Sequence, residues 1–160
     1  INGLYAMLSR QDDENISVML SDSPHHWNDP KVVLRPAEMW ESVKIGNCGS
    51  PLETEAGWLV ITHGVGPMRK YCIGAVLLDL DDPTQVLGRL RQPLLCPEGD
   101  GRDGYVPNVV YSCGSLLHGG KLVLPFAISD RASAIVSVSL DDLLGALQSG
   151  REDGCRDRLG

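Results

Sequence analysis

Residues Trp40–Val65, WESVKIGNCGSPLETEAGWLVITHGV, decide how this chain is interpreted. They contain a Gly-rich turn, then the apolar run Trp58–Thr62, and they place Lys44, Glu53 and His63 within one short stretch. A buried strand needs apolar residues, and nothing in that requirement brings Lys, Glu and His together beside it. We therefore expect a functional site in or next to this stretch.

Composition sets the limits of the interpretation. A chain of 160 residues is enough for one domain with a sizeable core. Its net charge of -7 argues against a nucleic-acid or membrane partner, which would require a basic face. The first residues, INGLYAMLSR, resemble no signal peptide and begin within a strand-like pattern without Met, so we expect a truncated chain.

The cysteines and histidines show no recognisable metal or disulfide pattern. The five cysteines are Cys48, Cys72, Cys96, Cys113 and Cys155. Their odd number and the absence of a CxxC pair predict reduced thiols and a cytoplasmic protein. The histidines His25, His26 and His118 are not spaced with acidic or Cys partners, so we expect no metal site.

Short apolar runs separated by Gly, Pro, Asn and Asp predict an all-β fold. The predicted strands are Tyr5–Ser9, Ile16–Ser21, Trp58–His63, Tyr71–Asp79, Val109–Cys113, Lys121–Ile128 and Ala134–Leu140. Several are continuous apolar runs, which indicates burial on both faces. The spacing is typical of a sandwich, a barrel or a propeller, and the pattern alone does not choose between them.

One helix is predicted, close to the end of the chain. Asp141 or Asp142 would cap Leu143–Gln148, and Gly150 would end the helix. We expect residues 1–150 to form the domain and residues 151–160 to form a charged, disordered tail.

A set of motifs in fixed order carries a family resemblance. The motifs are Lys44-Ile45-Gly46, TEAGWL at Thr54–Leu59, His63-Gly64-Val65, Tyr71 leading into LLDLDDP, VPNVV at Val106–Val110, and Asp130. In this combination the chain resembles glycoside hydrolase family 130, the β-mannoside phosphorylases and hydrolases, from about Ile1 to Leu144. The resemblance is to the C-terminal part of the family only. It implies a partial β-propeller, about three blades of a five-bladed one, with a short C-terminal helix.

By resemblance, Arg10, Lys44 and His63 bind phosphate. An Arg fork and a Lys charge suit that ligand, and together they could concentrate an anion against the net charge. Each residue also has a plainer interpretation. Arg10 could simply neutralise the acidic residues after it, Lys44 could be an exposed lysine, and His63 could be a partly buried histidine bonded to backbone.

The resemblance assigns sugar contacts to Tyr71, Asn108 and Asp130. A carboxylate can accept from two neighbouring hydroxyl groups, which suits Asp130. The alternatives are core packing for Tyr71, a turn before the next strand for Asn108 and a loop acid for Asp130. Trp40 and Trp58 are expected to pack, and the pair Glu53 and Glu55 is expected to be solvated.

No catalytic residue is expected within this chain. Inverting cleavage requires a carboxylic acid that protonates the leaving oxygen, and the family's acid belongs to N-terminal blades that the resemblance does not include. The resemblance thus implies half of an inverting β-mannoside phosphorylase, which forms mannose 1-phosphate from a β-mannosyl oligosaccharide. Phosphate would be the co-substrate and no cofactor is expected.

Two other functions stay open. One is a β-mannoside hydrolase, although a phosphate clamp argues mildly against it. The other is a catalytically inactive sugar-binding or assembly module. Open blade edges would need covering, so the expected partners are a second copy of this chain or a complementary propeller half, besides the mannoside or mannose 1-phosphate.

Overall fold

The computed structural model describes residues 1–97 and 105–156, with the side chains of residues 150–156 left undescribed. Within these ranges the chain forms three antiparallel sheets that follow one another in sequence, and one C-terminal helix. This confirms the predicted fold class, a mostly β chain built as a partial propeller.

The first sheet consists of β1 (Tyr5–Ser9), β2 (Ile16–Ser21) and β3 (Lys31–Leu34), in that order. β1 and β2 pair in register from Tyr5 opposite Ser21 to Ser9 opposite Ser17. The connection between them, residues 10–15, is a short loop, and Arg10 lies at its start, at the end of the sheet.

The second sheet is the largest. It consists of β4 (Lys44–Asn47), β5 (Leu52–Thr54), β6 (Gly57–Val65), β7 (Tyr71–Leu78) and β8 (Val86–Arg89). Its order is β4-β6-β7-β8, with β5 paired to the first part of β6. β6 and β7 are buried along almost their whole length, as their continuous apolar sequences predicted.

The third sheet and the helix complete the fold. The strands are β9 (Val110–Tyr111), β10 (Leu116–His118), β11 (Lys121–Ile128) and β12 (Ala132–Ser139), and the helix is α1 (Leu140–Arg156). β10, β11 and β12 are adjacent in that order, and β9 pairs with the far end of β11.

Two apolar clusters lie on opposite faces of the second sheet. Leu59 and Ile61 of β6 face the third sheet and α1, whereas Val60 between them faces the first sheet. Alternate residues of one strand point to opposite faces, so this central sheet is buried on both sides. Burial on both faces holds β6 in place, and with it His63, which this strand carries.

Two glycines make room for the indole ring of Trp40. This residue lies in a single 3-10 turn, Met39–Glu41, directly before β4. A Cβ on Gly64 or on Gly74 would lie 2.5 Å from a ring atom of Trp40. The indole nitrogen donates to the carbonyl oxygen of Arg91 at 3.0 Å. Trp40 is thus a packing residue, as predicted, seated against β6 and β7.

The expectation that all cysteines are reduced is wrong. Cys72, in β7, and Cys96 form a disulfide with a Cα–Cα distance of 4.5 Å. The pairing arises because Leu94 and Leu95 return to β7 and donate from their backbone amides to the carbonyl of Ile73. The cytoplasmic location, which was inferred from reduced cysteines, stays a prediction.

The helix is longer than the sequence predicted. It begins at Leu140 and continues past Gly150 to Arg156, so the predicted end at Gly150 is wrong. The disordered tail stays a prediction. A glycine within a helix costs only about 1 kcal/mol and does not have to end it. Residues 157–160 of the predicted tail lie outside the described residues.

In residues 1–97 and 105–156 there is no helix whose length and apolar character would let it cross a membrane.

Candidate functional site

The three residues expected to bind phosphate lie close together. Arg10 follows β1, Lys44 begins β4, and His63 lies on β6 directly opposite Gly46. A Cβ on Gly46 would be 2.4 Å from Cε1 of His63 and 3.0 Å from Cδ of Arg10. The side chains of Arg10 and His63 therefore meet over a backbone position that has no side chain of its own.

One carboxylate joins the two cations. Asp13 accepts from Nη2 of Arg10 at 2.7 Å through Oδ1 and from Nζ of Lys44 at 3.4 Å through Oδ2. Arg10 also donates to the backbone carbonyl of Asp13 at 2.9 Å. These contacts agree with the plainer interpretation, in which a nearby acid neutralises the charge of Arg10. However, the side chain of Asp13 is 78% exposed, so it can move away from the two cations without exposing the core.

The loop that carries Asp13 is shaped by its neighbour Asp12. The carboxylate of Asp12 accepts from the backbone amides of Glu14 and Asn15 at 3.0 and 2.8 Å, and from the Asn15 side chain at 2.6 Å. These hydrogen bonds, the one from the Asn15 side chain first, lower the pKa of Asp12 to about 2. Asp12 is therefore ionised at neutral pH and holds the loop that presents Asp13.

His63 is buried among aromatic rings and a thiol. Only 4% of it is exposed. Its ring centroid lies 6.2 Å from that of Tyr71, nearly parallel to it, and 5.1 Å from that of Tyr111. Nδ1 lies 3.7 Å from the sulfur of Cys48. Burial, and then the charges of Arg10 and Lys44, lower the pKa of His63 to about 4, so its ring is neutral at neutral pH.

This low pKa predicts a loss of stability in acid. An unfolded histidine, with a pKa near 6.5, takes up a proton at higher pH than folded His63, with a pKa of about 4, so acid favours the unfolded state. His63 should therefore lower the free energy of unfolding by about 3 kcal/mol as the pH falls through this window. Urea unfolding of the wild type and of His63→Gln across that pH range measures the difference.

The control for this pH dependence is His25→Gln, because His25 is exposed. Its pH profile should coincide with that of the wild type. If the His63→Gln profile also ran parallel to the wild type, His63 would not be the buried neutral group described here.

Tyr71 and Asn108, two of the three expected sugar residues, are neighbours. The backbone amide of Tyr71 donates to the carbonyl of Asn108 at 2.9 Å, and Tyr71 bridges to Val109. Because the Tyr71 ring stacks on His63, this pair extends the wall formed by Arg10, Lys44 and His63.

A backbone hydrogen bond links the turn that carries Asp130 to the segment that follows Asn108. Asp130 lies in the tight turn between β11 and β12, where the amide of Arg131 donates to the carbonyl of Ile128 at 2.9 Å. The preceding residue, Ser129, donates from its amide to the carbonyl of Val109. Ser129 and Asp130 have φ values of 51° and 53°, as the two central residues of a hairpin turn require. The turn explains the backbone at Asp130 and leaves its exposed carboxylate available.

The family model described as beta-1,4-mannooligosaccharide phosphorylase matches residues 1–149. The chain belongs to glycoside hydrolase family 130.

Relatives and solved structures of family 130 cover most of this chain. A 1,2-beta-oligomannan phosphorylase from Thermoanaerobacter sp. (strain X514) is 37% identical over 145 residues, 89% of this chain and 49% of the relative. A beta-1,4-mannooligosaccharide phosphorylase from Ruminococcus albus is 32% identical over 93% of this chain and 48% of its own length. The structure of beta-1,2-mannobiose phosphorylase from Listeria innocua, in complex with beta-1,2-mannobiose, superposes with a TM-score of 0.81 at 31% identity. It covers 93% of this chain and 44% of that one.

This family 130 chain thus spans about half the length of the curated relatives it matches. Which half it corresponds to stays a prediction, as does the absence of the general acid.

Sequence reasoning missed a buried ion pair in this family 130 chain. Glu41 is fully buried, and its Oε1 accepts a close hydrogen bond from Nη2 of Arg89, at the end of β8. The same oxygen accepts from the backbone amides of Ala37 and Glu38, both at 3.0 Å. The two partners are 48 residues apart in sequence, and nothing local to either one signals the contact.

Cys48 and Tyr111, which contact His63, were also missed as site neighbours. By contrast, the expectations for Glu53 and Glu55 are confirmed, because both are exposed. Trp58 is a packing residue whose indole nitrogen donates to the carbonyl of Leu80 at 3.2 Å.

Within the described part of the chain, no group of three or more His, Cys, Asp or Glu side chains is placed to hold a metal ion.

Proposed function

We propose that this chain provides the phosphate and mannosyl subsites of an inverting β-mannoside phosphorylase. The contact of one carboxylate, Asp13, with both Arg10 and Lys44 carries the proposal. A phosphate oxygen pair could replace the two carboxylate oxygens, since both groups offer paired anionic acceptors to the same donors. The relatives named above are phosphorylases, which supports phosphate over water as the nucleophile.

In this proposal the site residues divide the work by charge. Arg10 and Lys44 supply the positive charge that holds phosphate on one face of the sugar ring. His63, neutral because its pKa is about 4, adds a hydrogen-bond donor without a charge that would have to be neutralised. Tyr71, Asn108 and Asp130 would orient the mannosyl unit.

Bond cleavage in this proposal needs a group from outside the chain. Phosphate attacks the anomeric carbon from the face opposite the leaving oxygen, and a carboxylic acid protonates that oxygen. We assign this acid to the part of the relatives that the chain does not span. A complementary half, or a second copy of this chain, would also cover the open sheet edges.

Lys44→Ala tests the phosphate subsite. We expect it to weaken the binding of phosphate or mannose 1-phosphate by about 1–3 kcal/mol, the range for loss of a charge-assisted contact. Calorimetric titration of both ligands measures the affinity directly. The matched control is Lys121→Ala, because Lys121 is an exposed lysine on the third sheet and its loss should leave both affinities unchanged.

Asp13→Ala gives a second test with the opposite sign. If phosphate replaces this carboxylate, removing it should tighten phosphate binding, whereas Lys44→Ala weakens it. No saturable binding by the wild type at millimolar ligand would refute the phosphate subsite and favour an inactive sugar-binding or assembly module. Binding of mannobiose without any phosphate binding would favour a hydrolase.

A further inference from the structure

Cys48 is a buried side chain beside the site to which the proposed function gives no role. It follows β4 directly and is 2% exposed. Its backbone amide donates to the carbonyl of Ile61 at 2.7 Å, which extends the pairing of β4 with β6. This pairing directs the thiol at His63, whose Nδ1 lies 3.7 Å from the sulfur.

The surroundings of the sulfur determine the direction of this hydrogen bond. Burial raises the pKa of the Cys48 thiol to about 12, although the backbone of Ser112, just after β9, acts in the opposite direction and favours the thiolate. The thiol therefore keeps its proton at neutral pH. Its S–H is left to donate, and Nδ1 of His63 is the acceptor within reach.

A proton donated to Nδ1 determines where the ring carries its own proton. A neutral imidazole has one N–H and one lone pair, so a ring that accepts at Nδ1 is protonated at Nε2. The Nε2–Cε1 edge lies over Gly46, next to the Arg10 side chain. We propose that Cys48 is a positioning residue, whose thiol holds His63 as the Nε2–H tautomer so that the neutral ring donates toward the anion held by Arg10 and Lys44.

The functional meaning of this inference rests on the proposed phosphate subsite, but the tautomer rests on the protein's own contacts. The charged and titratable groups that face His63 come from each element around it. They are Arg10 after β1, Lys44 and Cys48 on either end of β4, Tyr71 on β7 and Tyr111 on β9. The two cations disfavour a protonated ring, so the tautomer should persist through the neutral range.

The test is the tautomer of His63, read from two-bond nitrogen–proton correlation spectra of the labelled chain. We expect the Nε2–H pattern in the wild type and in Cys48→Ser, whose hydroxyl can donate in the same direction. In Cys48→Ala the donor is gone, so the Nδ1–H form should gain population. Cys113→Ala, at an exposed cysteine, is the control and should match the wild type.

Phosphate titrations of the same variants give the second measurement. Cys48→Ala should weaken phosphate binding about 3- to 10-fold, as expected for loss of one weak hydrogen bond, with Cys48→Ser close to the wild type. An Nδ1–H pattern in the wild type, or an unchanged pattern in Cys48→Ala, would overturn the inference. An Nε2–H wild type that binds no phosphate would instead refute the phosphate subsite and leave the assignment of the thiol supported.

Discussion

Replacing Arg89 with alanine should lower the free energy of unfolding by about 3–5 kcal/mol, because it leaves the carboxylate of Glu41 buried without its charged partner. Glu41 is fully buried, and Arg89 is the cation that contacts it. The same guanidinium donates through Nη1 to the carbonyl of Arg35 at 2.9 Å. The substitution therefore also removes a link between the second sheet and the segment before β4.

Urea unfolding of Arg89→Ala should be compared with Arg91→Ala. Arg91 is exposed, and only its backbone carbonyl takes part in the Trp40 contact, so its side chain should be nearly neutral for stability. Adding Glu41→Gln to Arg89→Ala should restore part of the loss, since the amide carries no charge. Equal effects of Arg89→Ala and Arg91→Ala would mean that the ion pair contributes nothing measurable.

Leu147→Ala should lower the free energy of unfolding by about 2–5 kcal/mol, the range for removing a large apolar side chain from a packed core. Leu147 is fully buried on α1 and belongs to the cluster that includes Leu122 and Leu124 of β11. The helix lies close against β8, where a Cβ on Gly88 would be 2.4 Å from the carbonyl oxygen of Leu147. The surroundings therefore have little freedom to collapse into the cavity.

Gln148→Ala is the matched control for the helix. Gln148 is the next residue and is exposed, so its replacement changes helix propensity but removes no core contact. Its urea unfolding midpoint should stay near that of the wild type. A small effect of Leu147→Ala, similar to that of the control, would show that α1 is not docked on the second and third sheets in solution.

The long apolar strands were predictable from sequence, and most of the short ones were not. Lys121–Ile128 was predicted with its observed bounds, because it is a long apolar run with clear ends. Lys44–Asn47 and Leu52–Thr54 were missed as strands. They are too short, and too interrupted by Gly and polar residues, to show alternation; pairing with β6 makes them strands.

The residues of the site were predictable from the family resemblance, but their contacts with residues distant in sequence were not. The family motifs selected Arg10, Lys44 and His63, and the structure brings them together. The contact of Lys44 with Asp13 spans 31 residues of sequence and depends on how the first sheet meets the second. Cys48 was expected only to be a reduced thiol, because its neighbours in sequence do not indicate which ring atom it faces.

The disulfide illustrates the same limit. Cys72 and Cys96 are separated by 24 residues, with no motif around either one. Only the return of the segment after β8 to the edge of β7 brings them within bonding distance. The number of cysteines does not predict that the segment carrying Cys96 packs against β7.

The seat of Trp40 between Gly64 and Gly74 has a consequence for how this wall can change over evolution or in a laboratory library. The three positions share a single volume, although they come from a 3-10 turn and two strands. A larger residue at Gly74 can be accommodated only if the ring at position 40 shrinks at the same time, and at Gly64 the Cβ of Glu41, 2.5 Å away, would also have to move. Libraries that vary these positions one at a time will therefore recover mainly the wild type, whereas paired randomisation opens alternatives for the wall beside β4 and Lys44.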